Sequence, residues 1–206
     1  MSIALVDYGV GNLRSVQKAL ERVGAGAVVT RDPETIMASE AMVLPGVGAF
    51  AECMGNLEKY GLTETVKAYA RLGRPFLGIC VGYQILFEGS DEFGSSAGLG
   101  VFRGRCVQFP KSSLDHHKIP HMGWNQVEYQ KADPLFDGVR NGTDFYFVHS
   151  YFPVPAEEVT LADTEYGVRF AAASGRGRLY GVQFHPEKSQ AAGLKVLENF
   201  ARMARG

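Results

Sequence analysis

Short apolar runs alternate with helical patterns through the first half of the chain. The runs are continuous rather than alternating in polarity, which is typical of strands buried on both faces of a parallel sheet. They occupy residues 3–6, 27–30, 41–44 and 75–79, and the helical patterns lie at residues 13–23, after Asp32-Pro33, at 51–57 and at 63–72. This order predicts an α/β fold, with an open, mainly parallel sheet flanked by helices.

The second half of the chain is richer in strand-like runs. They lie at residues 102–109, 125–129, 145–152, 168–174 and 179–184, and an amphipathic helix through Leu194, Leu197, Ala201 and Ala204 follows them. These runs predict an antiparallel extension of the main sheet, and the polar stretch 111–118 is predicted to be a loop. No tract of Pro, Gly and Ser separates the two halves, so residues 1–206 are expected to form a single domain.

Composition excludes several classes of function. Lys and Arg (21) nearly balance Asp and Glu (22), whereas a nucleic-acid-binding domain usually carries a basic excess. No apolar stretch approaches the roughly 20 residues of a membrane helix, and the N-terminus resembles a strand rather than a signal peptide. The three cysteines do not form an even, closely spaced set, so a reducing cytoplasm is expected.

One strand runs directly into a cysteine flanked by glycines. Residues 76–84 read FLGICVGYQ, so an apolar strand meets G-x-C-x-G and a helical pattern begins at once. This is the cysteine counterpart of the nucleophile elbow, a strained turn between a strand and a helix. A helix N-terminus favours the thiolate, and the Val81 amide points to where an oxyanion would form. The pattern predicts that Cys80 is a nucleophile, although a small buried cysteine between two glycines would look the same.

A histidine at the end of another apolar strand is the candidate base. His185 lies in GVQFHPE at residues 181–187, and Glu187 follows two residues later. If the chain stays extended across Pro186, both side chains project to the same side, and the carboxylate can orient the imidazole. The alternative is a surface histidine beside a solvated glutamate, which the elbow makes less favoured.

A glycine-rich loop follows the third apolar run. Its sequence PGVG at residues 45–48 suits a loop that turns amides toward an anion, although an ordinary strand-to-helix turn has the same composition. No cysteines stand at C-x-x-C spacing, and His116-His117 is interpreted as part of a loop. Gly9-Val10-Gly11-Asn12 fits neither a dinucleotide nor a phosphate-binding pattern, so neither a metal nor a cofactor is predicted.

Several motifs, spread in order over nearly the whole chain, resemble one family. They are PGVG at 45–48, GICVGYQ at 78–84, PHMGWN at 120–125, YFVHSY at 146–151 and QFHPEKS at 183–189. G-x-C-x-G-x-Q with a distant FHPE resembles the class I, or triad, glutamine amidotransferases. PHMGWN and PEKS narrow the resemblance to the glutaminase subunits of imidazole glycerol phosphate synthase. The chain departs from that pattern at Val81 and Tyr83, where the family pattern has leucine and methionine, and both changes are interpreted as apolar exchanges.

The resemblance implies a flavodoxin-like fold and a specific reaction. Cys80 would attack the amide of L-glutamine, His185 would relay the proton to the leaving ammonia, and Glu187 would orient His185. The amides of Val81 and Val47, the latter after a peptide flip, would form the oxyanion hole together with Gly48. The implied substrate-binding residues are Gly48, Gln84, His149, Ser150 and Tyr151.

The resemblance also implies a partner. Ammonia would pass through a tunnel to a (β/α)8-barrel cyclase subunit in a heterodimer, because ammonia exposed to neutral water is mostly protonated and no longer nucleophilic. The cyclase would make imidazole glycerol phosphate and AICAR in histidine biosynthesis. The implied interface residues are Asn12, Met122, Trp124, Tyr146 and Lys188. Neither nucleic acid nor membrane is expected as a partner.

Three other functions remain open at this level. The same chemistry could serve another acceptor, as in anthranilate or pyridoxal phosphate synthesis, but PHMGWN and PEKS argue against that. A stand-alone cysteine hydrolase would need neither Gln84 nor the HSY segment. A binding subunit with an inactive site would have no reason to keep Cys80, His185 and Glu187 together.

Overall fold

The structure is a computed structural model that describes residues 2–110 and 118–205. The predicted loop at 111–118 therefore lies outside the described residues except for Lys118, and His116 and His117 lie outside them as well. Within the described residues, six α-helices form: α1 (Leu13–Arg22), α2 (Pro33–Ala38), α3 (Phe50–Lys59), α4 (Thr63–Ala70), α5 (Val81–Gln84) and α6 (Gln190–Met203). None of them is long and apolar enough to cross a membrane.

The local sequence explains where the first helices begin and what they bury. The Asp32 carboxylate accepts a hydrogen bond from the Thr35 amide, so it caps α2 one residue before Pro33. Helix α1 buries Val16, Ala19 and Leu20 on one face and turns its other side to solvent. The helices predicted from periodicity in the first half are thus confirmed, with ends that differ by one or two residues.

Thirteen strands are described, and nine of them form one sheet. They are β1 (Ile3–Val6), β2 (Ala27–Thr30), β3 (Ala41–Gly46), β4 (Phe76–Cys80), β5 (Gly89–Ser90), β6 (Ser96–Ala97), β7 (Gly104–Gln108), β8 (His121–Tyr129), β9 (Thr143–His149), β10 (Tyr151–Pro155), β11 (Thr160–Glu165), β12 (Arg169–Arg176) and β13 (Leu179–Val182). The large sheet has the order β2-β1-β3-β4-β13-β12-β11-β8-β9, and a smaller sheet has the order β10-β7-β5-β6.

The large sheet has a parallel half and an antiparallel half. Strands β2, β1, β3, β4 and β13 pair in parallel, and β12, β11, β8 and β9 continue the sheet in antiparallel pairs. The predicted fold class is confirmed, including the antiparallel extension. The run 179–184, which was predicted to belong to that extension, instead forms β13, which pairs in parallel with β4 and joins the two halves of the sheet. Because β4 and β13 are parallel neighbours, Cys80 at the carboxyl end of β4 and His185, three residues after the end of β13, meet at one edge of the sheet.

Two strand predictions were wrong in detail. The apolar run 145–152, predicted as one strand, is broken at Ser150: Phe145 lies in β9 of the large sheet and Phe152 in β10 of the smaller one. A continuous apolar run cannot show where a chain changes its pairing partner. Strand β11 was not predicted because Thr160, Asp163 and Thr164 give it a polar sequence, and it forms because β8 and β12 pair with it on both sides.

Candidate active site

Cys80 occupies a strained turn between β4 and α5. Its backbone has φ 55° and ψ −112°, a conformation that residues with a side chain rarely adopt, and α5 begins at the next residue. The first amides of a helix have no partner within the helix, so the Val81 amide is available to a ligand, and Val81 lines the same cavity as Cys80. This is the geometry that the G-x-C-x-G pattern predicted.

Glycines allow the backbones around this turn to approach closely. A Cβ at position 82 would lie 1.9 Å from the Leu44 carbonyl oxygen, and one at position 46 would lie 2.4 Å from the Gly82 amide nitrogen. A Cβ at position 78 would lie 2.7 Å from the Gly82 carbonyl oxygen. The glycines therefore serve the packing of α5 against β3 and β4, which holds Cys80 in position.

His185 and Glu187 form a buried pair next to Cys80. The His185 Nδ1 lies 2.8 Å from the Glu187 Oε1, and the two side chains are only 2% and 1% exposed. The chain does not stay extended across Pro186, as the sequence argument assumed. Instead, residues Pro186–Lys188 form a 3-10 turn, and this turn brings the carboxylate back to the imidazole.

Ser189 fixes the main chain around this pair. Its hydroxyl donates to the His185 carbonyl at 2.6 Å and accepts from the Tyr146 amide at 3.0 Å. The His185 amide in turn donates to the Tyr146 carbonyl at 2.9 Å. The last residue of the PEKS motif thus ties His185 to β9.

The environment of His185 favours its charged form. Burial alone would lower its pKa, but Cys80 and Glu187 outweigh burial and raise the pKa of His185 to about 10. The Nε2 atom, on the ring side opposite Glu187, is buried and has no hydrogen-bond partner among the described residues. An imidazolium with an unused N–H toward the nucleophile can give a proton to a leaving group.

Cys80 opens into a cavity of about 300 Å³ at the edge of the sheet. Its lining includes Cys80 and His185 together with eight other residues singled out in the sequence: Val47, Gly48, Val81, Gln84, His149, Ser150, Tyr151 and Lys188. These residues come from four separate segments of the chain, residues 47–48, 80–84, 149–151 and 185–188, which only the fold unites. Among the described residues, no group of three or more His, Cys, Asp or Glu side chains is arranged to hold a metal ion.

The side chain of His149 is engaged in the protein interior. Its Nε2 lies 3.0 Å from the His121 Nδ1, and its Nδ1 lies 2.9 Å from the Tyr151 carbonyl oxygen. Burial, with a smaller contribution from His121, lowers the pKa of His149 to about 3, so the ring is neutral. Both ring nitrogens are occupied, which leaves the main chain of His149 for contact with a substrate.

Four of the five predicted interface residues lie close together on or beside the β8–β9 hairpin. Met122 and Trp124 are 61% and 48% exposed on β8, and Trp124 pairs with Tyr146 on β9. The rings of Trp124 and Tyr146 meet edge to face at 6.0 Å, and the Lys188 Nζ lies 5.7 Å from the Tyr146 ring. Asn12 lies at the start of α1, which follows the carboxyl end of β1.

The structure adds residues that sequence reasoning did not assign. Glu92 lines the cavity, and its Oε2 accepts a hydrogen bond from the Phe50 amide at 2.7 Å. Gln183 precedes His185 and lies 3.8 Å from the Cys80 sulfur through its Nε2. Gln183 was visible as part of the QFHPEKS motif, whereas no local pattern distinguished Glu92 from other surface acids.

Tyr83 is not a simple apolar exchange. Its hydroxyl lies 2.6 Å from the Ser174 hydroxyl, and its ring fills the space above Gly181, where a Cβ would lie 2.0 Å from the ring. Burial raises the pKa of Tyr83 far above its usual range. The larger residue is thus accommodated by a small neighbour on β13 and by a hydroxyl partner on β12.

Comparisons with known proteins establish the family of this chain. The family model for glutamine amidotransferase class-I matches residues 4–204, so the class of protein is a class-I glutamine amidotransferase. The HisH subunit of imidazole glycerol phosphate synthase from Moorella thermoacetica is 52% identical over 204 residues, covering 98% of this chain and 95% of that protein. The HisH subunit from Geobacter sulfurreducens is 51% identical over 205 residues, with 98% of each covered. The chain belongs to the family of these HisH subunits.

Solved structures with low sequence identity share the fold. A glutamine amidotransferase structure superposes with a TM-score of 0.71 at 20% identity, covering 98% of this chain and 99% of that one. The structure of PurLQS from Thermotoga maritima gives a TM-score of 0.71 at 18% identity, covering 99% of this chain and 97% of that one.

Proposed function

We propose that this chain is the glutaminase subunit of an imidazole glycerol phosphate synthase and that Cys80 is its nucleophile. The observation that carries the proposal is the meeting of the strained Cys80 with the buried His185–Glu187 pair in one cavity. The HisH relatives favour imidazole glycerol phosphate synthesis as the use of the ammonia, rather than anthranilate or pyridoxal phosphate synthesis. They also favour it over a stand-alone hydrolase.

The first half of the reaction forms a thioester. The Cys80 sulfur attacks the amide carbon of L-glutamine, and the tetrahedral intermediate places its oxyanion near the amides of Val81 and Val47. When the carbon–nitrogen bond breaks, His185 gives its Nε2 proton to the leaving nitrogen, which departs as ammonia. The raised pKa of His185 keeps this proton available at neutral pH. Glu187 holds the ring through Nδ1 and stabilises its charge.

The second half releases glutamate. The now neutral His185 accepts a proton from water, the hydroxide adds to the thioester carbon, and the carbon–sulfur bond breaks to restore the thiolate. The products are one glutamate and one ammonia for each glutamine and water consumed. The ion pair of Cys80 and His185 is thus re-formed at the end of each cycle.

The cavity offers partners for the amino-acid end of glutamine. The carboxylate of Glu92 suits the ammonium group, and the main chain of Gly48, Ser150 and Tyr151 can bind the head group. The Nε2 of Gln84 is occupied by the Tyr151 carbonyl and by Gln183, so its Oε1 is the atom left for substrate.

The HisH relatives are named as subunits, which supports a partner for this chain. We infer a (β/α)8-barrel cyclase that docks on Met122, Trp124, Tyr146 and Lys188, with Asn12 contributing at the start of α1. Aromatic and methionine side chains are enriched in such interfaces. The three unpaired cysteines support a reducing cytoplasm, and the sheet shared by both halves supports a single domain.

Replacing the nucleophile separates the two activities of the complex. In the complex with the cyclase, Cys80→Ala is expected to abolish glutamine-dependent synthesis while leaving ammonia-dependent synthesis nearly intact, because the acceptor chemistry belongs to the other subunit. Cys106→Ala, at a buried cysteine outside the cavity lining, is the matched control and should keep both activities. Equal loss of both activities in Cys80→Ala would contradict the assignment.

A further inference from the structure

A buried side-chain amide faces the sulfur of Cys80. Gln183 follows β13, is fully buried, and has its main-chain amide bonded to the Ala172 carbonyl at 2.8 Å. Its Nε2 lies 3.8 Å from the Cys80 Sγ, and its Oε1 lies 3.0 Å from the Gln84 Nε2. The mechanism described above, with a nucleophile, an acid and an orienting carboxylate, gives this amide no role.

The neighbours of Gln183 determine which end of the amide faces the sulfur. The Tyr151 carbonyl can only accept, so the Gln84 atom 2.7 Å away must be its NH₂ group. The second proton of that NH₂ is donated to Gln183, whose carbonyl oxygen must therefore point to Gln84. The NH₂ of Gln183 is therefore left to face Cys80.

The Tyr151 carbonyl extends this series of hydrogen bonds into the core. The Tyr151 oxygen also accepts from the His149 Nδ1, which leaves the His149 Nε2 as an acceptor for the His121 Nδ1–H. The Asn125 amide lies 3.2 Å from the His121 Nε2. Each group in this chain has one consistent donor and acceptor role, and reversing any amide would leave a buried polar group unpaired, which is costly.

We propose that Gln183 is a further catalytic residue of the glutaminase reaction assigned above. Its NH₂ donates to the Cys80 sulfur and stabilises the thiolate. The series of hydrogen bonds that runs from Asn125 to Gln84 keeps that NH₂ in place. The proposal rests on Cys80 being the nucleophile. The donor acts twice in each cycle, on the attacking thiolate and on the thiolate that leaves when the thioester is hydrolysed.

The other groups around the Cys80 sulfur are the same in the native chain and in variants at position 183. The titratable and charged groups that line the cavity or interact with Cys80 are His185 with Glu187 behind it, Glu92, Lys188, His149 and Tyr151, and also Tyr8 and Cys53, which interact electrostatically with Cys80. Because these groups are unchanged when position 183 is substituted, a shift between variants reports on the Gln183 amide.

The test measures the rate at which iodoacetamide alkylates Cys80 as a function of pH in the full chain. Cys53 and Cys106 are fully buried, and burial raises the pKa of Cys53 to about 12, so Cys80 supplies the fast phase. The variants are Gln183→Glu, which replaces the donor by a carboxylate, and Gln183→Met, which keeps the length without a donor. Gln126→Glu adds the same charge on the exposed side of β8 and is the control, and Cys80→Ala supplies the blank.

We expect the midpoint of the rate profile to move upward by about one pH unit in Gln183→Glu, which lowers the ratio of thiolate to thiol about tenfold at any given pH. Gln183→Met should move it in the same direction by a smaller amount, and Gln126→Glu should match the unmodified chain. An unchanged midpoint in either folded Gln183 variant would overturn the proposal. If the glutamate variant does not fold, the methionine variant decides. Absence of a Cys80-dependent fast phase in the unmodified chain would instead count against Cys80 as the nucleophile.

Discussion

His149 shows how the surroundings of a single residue set its chemistry. A histidine in the HSY segment was expected to hold the substrate, but the ring is buried between His121 and the Tyr151 carbonyl. Its pKa falls to about 3 because burial disfavours the charged form and His121 adds to the effect. The ring therefore acts as a fixed, neutral link in the core.

This lowered pKa predicts a loss of stability in acid. In the unfolded chain, histidine titrates near pH 6.5, whereas in the folded chain His149 does so only near pH 3, so between these values the unfolded state binds the extra proton. The contribution is fully present above about pH 6.5 and decreases as the pH falls toward 3, by about 1.4 kcal/mol per unit. From about pH 6.5 to about pH 5 the free energy of unfolding should fall by about 2 kcal/mol.

Urea unfolding of the native chain and of His149→Gln checks this expectation. The variant should be less stable at neutral pH because it loses buried hydrogen bonds, yet its stability should change less between about pH 7 and about pH 5. An equally steep acid loss in the variant would show that another group titrates there.

At the scale of elements, the turn between β4 and α5 is held by backbone contacts rather than by side chains. Gly82 is required because a Cβ there would meet the Leu44 carbonyl at 1.9 Å. The contact is with backbone on β3, so no side chain can move aside to relieve it. The same contact holds the 45–48 loop, which follows Leu44, close to the turn that carries Cys80.

Gly82→Ala is expected to destabilise the chain by about 3 kcal/mol, because the added methyl group overpacks a site bounded by backbone. It should also abolish glutaminase activity in whatever fraction folds. The matched control is Gly55→Ala in the middle of α3, where a Cβ meets nothing within 4 Å. That variant should be more stable by about 0.5–1 kcal/mol, since alanine is the better helix former. Thermal and urea unfolding would check both, and equal effects of the two substitutions would refute the packing argument.

At the scale of the whole molecule, the proposed docking face and the active site share one set of strands. Tyr146 lies beside Trp124 on the exposed side of the hairpin, and its main chain is bonded to His185 and Ser189. Lys188 stands at the rim of the cavity, one residue after Glu187. A partner that contacts this face would therefore touch the main chain that is bonded to His185, the proposed general acid.

Lys188→Ala is expected to weaken docking of the cyclase or to uncouple glutamine hydrolysis from synthesis. The reason is that Lys188 is expected to pair with an acidic residue of the cyclase, and truncating one member of a buried interfacial charge pair typically costs about 2–5 kcal/mol. The matched control is Lys195→Ala on α6, where the lysine is paired with Glu198 within the same helix. The measurements are the dissociation constant of the complex and the ratio of glutamate to imidazole product. Normal docking with a ratio near one would show that Lys188 is an ordinary surface lysine.

Four of the five strands of the parallel half, the cysteine turn and the family motifs could be predicted from the sequence. Each of these depends on short-range physics: apolar runs that must be buried, glycines that permit close backbone contact, and a helix that starts directly after Cys80. The pairing of His185 with Glu187 was also predicted, although the turn that produces it was not. A spacing of two residues leaves few ways for such side chains to meet.

The tertiary structure alone decided what depends on residues far apart in the chain. The break at Ser150 and the polar strand β11 follow from the partners offered by other strands. Glu92 reaches the cavity through a loop, and Gln183 meets Cys80 across 103 positions of sequence. The donor role of that amide is set by hydrogen bonds that run through Gln84 and Tyr151. A buried polar group takes the orientation that satisfies all its neighbours, and those neighbours are known only when the chain is folded.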